Sequence, residues 1–126
     1  MSADQRLPGA ARIASSREIR EIFRTGRRVR SGPVELVFRR SSIDRSRFAV
    51  VVPRHGHTIV ERNKLRRRLS EILRRDWLPE VRGASPAVDL IVRPVPAGYD
   101  SSFEQLRSAV HEGLEAISWP DASSSR

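Results

Sequence analysis

The chain has 126 residues, 38% hydrophobic and 31% charged, with 24 Lys+Arg against 15 Asp+Glu, which suits one folded domain with one core. A formal charge of +9 and a pI near 11.6 make nucleic acid the first candidate partner and an anionic membrane the second. The absence of cysteine excludes disulfides, iron–sulfur clusters and thiol catalysis, no apolar run reaches the ~20 residues of a membrane span, and Met1–Arg12 lacks the apolar stretch of a signal peptide, so a cytoplasmic location is expected.

Residues 1–14 contain Pro8, Gly9 and few apolar anchors, and read as a flexible basic arm. A domain over 15–119 and a disordered polar tail over 120–126 complete the expected layout. Ser15 and Glu18 have capping-box spacing, and Ile19, Ile22 and Phe23 follow at i, i+3, i+4. That predicts a helix over Ser16–Thr25, with Gly26 as its C′ stop. Spacing alone makes Phe23 a core residue. Val29 belongs to a short strand ahead of the Ser31-Gly32-Pro33 turn. Val34, Leu36 and Phe38 alternate with Glu35, Val37 and Arg39, the period of a half-exposed strand. Ser41–Ser46 reads as a hairpin connection, and Phe48–Val52 as a strand covered on both faces.

From His57 to Pro79 the sequence predicts one helix. Thr58 and Glu61 cap it, and Pro79 ends it. Leu65, Leu69, Ile72 and Leu73 fall on one stripe. Between Ile59 and Arg75 seven Lys/Arg stand against two Glu, a net +5 of the chain's +9. A solvated face usually mixes signs, so this excess points to a polyanion. Val88–Val92 reads as the last strand. Ser101 and Glu104 open a final helix with Phe103, Leu106, Val110, Leu114 and Ile117 inward. The strand–helix–strand unit implies parallel pairing, with a right-handed crossover as the default.

No protein active site assembles from these residues. The carboxylates are scattered, and no G-x-S-x-G, P-loop or G-x-G-x-x-G occurs. His55-Gly56-His57 would need a third ligand, and only His111 remains. The His pair reads as a loop beside RNA, and no metal site is expected.

Arg62-Asn63-Lys64-Leu65-Arg66-Arg67 resembles the R-N-x-φ-K/R-R signature of the bacterial ribonuclease P protein subunit. Phe23-Arg24-Thr25-Gly26-Arg27-Arg28 stands where that family has a basic F-x-x-G segment. Asp89–Pro94 and the Ser102–Leu106 helix start follow in the family's order, so the resemblance spans Arg12 to Ile117. It implies a single-domain α+β sandwich in α-β-β-β-α-β-α order, with a small four-stranded sheet and a left-handed β-α-β crossover.

The resemblance further implies that a catalytic RNA subunit, using Mg²⁺ that it mainly holds itself, removes the 5′ leader of precursor tRNA, and that the protein, a monomer in the holoenzyme, is inactive alone. Carried over by position, Arg62, Asn63, Lys64, Arg66, Arg67 and Arg68 face the RNA subunit, while Phe23, Val37, Arg54 and His55 line the leader side. Departures fall on that side. Ile19 and Val37 stand where aromatics are common, and Glu35 where an uncharged residue is. Pro53–Ile59 replaces S-K-x-x-G-N-A, and Ser70 replaces a basic residue. The alternatives are a ribosome-associated RNA- or DNA-binding module and a binder of anionic membranes. A basic zipper is excluded because the helix stops without further heptads.

Overall fold

The computed structural model describes residues 11–54, 56–83 and 86–117. Helix α1 (Ser16–Thr25) begins where expected, with Ser15 Oγ accepting from the Glu18 backbone N–H at 3.2 Å. The box is half made, because the Glu18 carboxylate binds Arg47 instead. Gly26 is extended, not left-handed. A Cβ there would stand 2.7 Å from the Ile22 carbonyl oxygen and 2.8 Å from that of Phe38. Close approach of two backbones, not a positive φ, makes glycine necessary at this stop.

Strands β1 (Arg27–Ser31) and β2 (Val34–Arg40) form an antiparallel hairpin. Its turn has Gly32 at φ 52°, the positive first position of a II′-type loop. Strand β3 (Arg47–Val50) does not pair with β2, so residues 41–46 are no hairpin connection. Strand β4 (Val88–Pro94) lies between them, antiparallel to β2 and parallel to β3, in the order β1-β2-β4-β3. An apolar strand gains most by burial on both faces and pairing on both edges, which is why β4 takes the centre. The parallel β3–β4 pair agrees with the expected strand–helix–strand unit.

Helix α2 (Ile59–Ile72) has the complete Thr58/Glu61 capping box. Its stripe of Leu65, Leu69 and Ile72, with Leu73, is buried as expected. The helix does not stop at Pro79. A π-helical turn over Leu73–Trp77 leads into α3 (Leu78–Val81), where Pro79 sits in the first turn and its missing N–H costs little. The Leu78 N–H reaches back to the Leu73 carbonyl across the wider turn. After β4, a 3₁₀ turn (Pro96–Asp100) precedes α4 (Phe103–Ala116). The capping box of α4 is Ser102/Gln105, one residue later than expected, and Leu106, Val110 and Ile117 are buried.

The sheet has a helix layer on each face. Val34, Leu36, Phe38, Leu90 and Val92 pack with α2, the π turn and α4 in the larger core. On the other face Ile13, Ile22, Val37, Ala49 and Ile91 form a second core beneath α1, with Ile19, Phe23 and Val51 at its margin. The β2 strand is therefore covered on both faces, not half exposed. The expected arm is shorter than residues 1–14, since Arg12 bridges Phe48 and the Ile13 N–H donates to the Phe48 carbonyl at 2.9 Å. That segment covers the outer edge of β3.

Register places three cross-strand rows on the α1 face. The middle row, Arg28–Val37–Ile91–Ala49, is apolar except at its β1 end. One outer row is Arg39–Asp89–Arg47. Asp89 is fully buried and accepts from Arg47 Nε and Nη2, both at 3.0 Å. Arg47 also reaches Glu18, so one guanidinium ties α1 to the sheet. Burial works against the Arg47 charge, yet Asp89 and Glu18 hold its pKa above the ordinary value. The other outer row is Arg30–Glu35–Arg93.

Candidate nucleic-acid interface

The α2 helix leads with its charges. Arg62, Lys64, Arg66, Arg67 and Arg68 have no carboxylate partner among the described residues, whereas Arg74 and Arg75 share Glu71. Cations in the first half of a helix oppose the positive end of its dipole. Arg62 and Lys64 lie in that half, and all five cations, without counter-ions among the described residues, are a local cost that a bound polyanion offsets. Glu61 is held below its usual pKa, first by the Thr58 backbone N–H and then by His57.

The six residues assigned to the RNA subunit are all on this helix. Asn63, Lys64 and Arg67 are exposed, and Arg62, Arg66 and Arg68 are half-buried, with stems beside the leucine stripe. Asn63 Oδ1 accepts from Arg66 Nη1, which orients both heads. Arg62 Nε is buried without a hydrogen-bond partner among the described residues. Ile59 and Val60, 65% and 75% exposed, stand at the start of the same helix.

Two cavities flank α2. One, of about 580 Å³, runs along the β3 edge, between α2 and the layer formed by Arg12–Ala14 and α1. Arg12, Arg66 and Arg67 supply cations, Arg74 lines the cavity paired with Glu71, and Ile13, Ile19, Ala49 and Val50 supply an apolar wall. The other, of about 240 Å³, includes Lys64 and Arg68 from α2 with His57 and Tyr99. The His57 and Tyr99 rings stack at 3.5 Å and 6°, and the Tyr99 hydroxyl donates to the Pro53 carbonyl at 3.1 Å. These contacts hold the approach to α2 in place. Burial raises the Tyr99 pKa despite the nearby Arg62.

Of the residues assigned to the leader side, Phe23 and Val37 belong to the second core beneath α1. Phe23 is half-buried at the margin of the second core, with the Arg93 and Arg28 guanidinium carbons 4.8 and 5.5 Å from its ring centre. It is both a packing residue and a partly open platform. Val37 is fully buried and supports the floor without reaching the surface, which corrects its assignment as a lining residue. Arg54 is exposed in the loop ahead of α2. His55 lies outside the described residues. The sequence reading did not assign Arg12, Ile13, Ala49, Val50 or Arg74 to a site. Ile13, the one large apolar residue between Leu7 and Ile19, is the local signal for part of that set.

Among the described residues no group of three or more His, Asp or Glu is placed to hold a metal ion. The buried Asp89 is engaged by Arg47 and Arg39, and the half-buried Asp76 by Arg107 and His111. This donor set, among the described residues, does not fit a catalytic Mg²⁺ site. No helix among the described residues is long and apolar enough to cross a membrane.

An α+β domain that sets unneutralised arginines beside an amphiphilic cleft has the build of a basic RNA-binding protein. A family model for ribonuclease P matches residues 7–118, and the chain belongs to the ribonuclease P protein family, as a bacterial-type protein component. The fold is similar to that of the ribonuclease P protein of Thermotoga maritima, at 27% identity over 86% of this chain and 98% of that one, with a TM-score of 0.72. The Staphylococcus aureus protein has the same fold at 21% identity, covering 83% of this chain and 93% of that one, with a TM-score of 0.69. A mutant of that protein described as defective in mRNA degradation gives 22%, 84%, 86% and 0.70 for the same measures. No curated protein sequence matches.

Proposed function

We propose that the chain binds the ribonuclease P RNA subunit through Arg62, Asn63, Lys64, Arg66, Arg67 and Arg68, and receives the 5′ leader of precursor tRNA along the α1 side of the sheet. The assembly hydrolyses the precursor at the mature 5′ end. The RNA subunit and its Mg²⁺ carry out the hydrolysis, and the protein positions and screens two polyanions. The single observation that carries this reading is the pairing, on one helix, of unneutralised cations with a cleft that is cationic on one wall and apolar on the other. Single-stranded nucleic acid asks for that combination, since phosphates need cations and unstacked bases need apolar surface. Ile19 and Phe23, one helical turn apart, extend the apolar wall toward Arg93.

The test compares precursor and mature tRNA on the reconstituted assembly. Wild type should hold the precursor more tightly. Phe23→Ala should narrow that preference while leaving mature tRNA affinity close to wild type. Equal affinity of the wild-type assembly for both substrates would contradict the leader assignment. Loss of both affinities together with thermal stability would reduce Phe23 to a core residue.

A further inference from the structure

The Arg30–Glu35–Arg93 row contains a carboxylate with two guanidinium partners. Glu35 Oε1 accepts from Arg93 Nε at 3.0 Å and from its Nη2, and Glu35 Oε2 lies 3.4 Å from Arg28 Nη1. Arg28 Nη2 also donates to the Phe23 carbonyl at 2.6 Å. The Glu35 side chain is 19% exposed, against 36% for Arg93 and 44% for Arg28, so the anion sits beneath the two cations. Both guanidinium groups lie over the ring of Phe23. Two arginines on an aromatic platform are what a nucleotide of single-stranded RNA requires, one part for its phosphate and one for its base. Here the place of the phosphate is already taken by a carboxylate of the chain itself.

We infer that Glu35 is an internal counter-anion that stands in for a leader phosphate and limits the affinity of the Arg28–Arg93–Phe23 platform. This rests on the reading of that side as the leader path. A carboxylate and a phosphodiester present the same kind of paired oxygens to a guanidinium fork, so they compete for it. An incoming phosphate must displace Glu35, and the displaced carboxylate then repels it. Glu35 thereby sets specificity for this platform. A leader gains from it only when base contact with Phe23 adds to the phosphate contact.

The experiment titrates the isolated protein with a short single-stranded oligoribonucleotide at several KCl concentrations. Glu35→Gln keeps the shape and removes the charge. It should tighten binding by about two- to fivefold at low salt, the scale of a partly exposed charge pair. It should steepen the salt dependence by roughly one phosphate contact. Arg93→Gln should weaken binding, and adding Glu35→Gln to it should bring little gain, because the competition has lost its main prize. If Glu35 instead orients Arg93 for RNA, Glu35→Gln will bind more weakly. That result, or unchanged affinity and slope in a variant with wild-type melting temperature, overturns the inference. Should Glu35→Gln lose the fold, Glu35→Asp withdraws the carboxylate from the pair and tests the same sign. A wild-type assembly with no preference for precursor tRNA would instead remove the leader reading, while the oligonucleotide titration still decides the role of Glu35.

Discussion

Removing Arg62, Arg66 and Arg67 together, as alanines, should flatten the salt dependence of RNA binding. None of the three has a carboxylate partner among the described residues, so their loss leaves no buried anion behind. Each phosphate contact contributes about 0.7–0.9 to the slope of log K against log salt, and three contribute roughly 2–3. Between ~50 and ~200 mM salt one unit of slope is about fourfold in affinity, so the gap between wild type and variant should close by roughly 20- to 40-fold over that range. The assay is fluorescence anisotropy of labelled RNA subunit against protein, repeated along a KCl series. Arg75→Ala and Arg107→Ala are the contrast. Arg75 is engaged by Glu71 and Arg107 by Asp76, so each should leave the slope near wild type. A folded triple variant with the wild-type slope would refute the reasoning, because the phosphates would then be neutralised elsewhere.

Leu69→Ala should cost about 2–5 kcal/mol through a cavity in the larger core, and any protein that remains folded should keep the wild-type salt slope. Arg47→Leu should cost about 3–5 kcal/mol, since it strands the fully buried Asp89 with only Arg39 at 3.4 Å. Both are read from thermal or denaturant unfolding. Stability should also fall on acidification. The Arg47 hydrogen bond lowers the pKa of Glu18, and hydrogen bonds from His111 and Arg107 lower that of Asp76 against the opposing effect of burial. A depressed carboxylate pKa gives stability that is present above the unfolded value of ~4 and is lost as pH falls through the folded one. Melting temperature should therefore hold down to pH ~5 and drop below ~4, and a rise on acidification would contradict the assignment.

The helices were the most legible part of this chain, because their signals are local. Thr58 and Glu61 lie three residues apart, and Leu65, Leu69 and Ile72 mark one face without reference to any other element. The α2 cations were legible for the same reason. What failed depended on the third dimension. Pro79 reads as a terminator unless a π turn is allowed to reset the helix before it. Val37 alternates as a half-exposed residue should, yet α1 crosses over it with Ile22. The Ser41–Ser46 connection has hairpin composition, but β4, nearly fifty residues away, takes the adjacent position. Gly26 looks like a left-handed cap and is a close-contact site. The Glu18–Arg47–Asp89 and Arg28–Glu35–Arg93 groups join residues from three separate elements, and no spacing rule connects them. The cleft wall was hidden because Ile13 is a lone apolar residue and Ala49 and Val50 belong to an apolar run that reads as core until the β3 edge and α2 are placed side by side.

On the proposed function, this chain assists an RNA catalyst and does no cleavage itself. The most direct measurement is cleavage of precursor tRNA as a function of Mg²⁺ by three preparations: protein freed of RNA, RNA subunit alone, and the two combined. The protein alone should give no cleavage at any Mg²⁺ concentration. The RNA alone should cleave only at high Mg²⁺, where ions screen two polyanions. The combination should work at lower Mg²⁺, because a +9 protein supplies part of that screening. Site-specific cleavage by RNA-free protein, or an unchanged Mg²⁺ requirement in the combination, would contradict the proposed function.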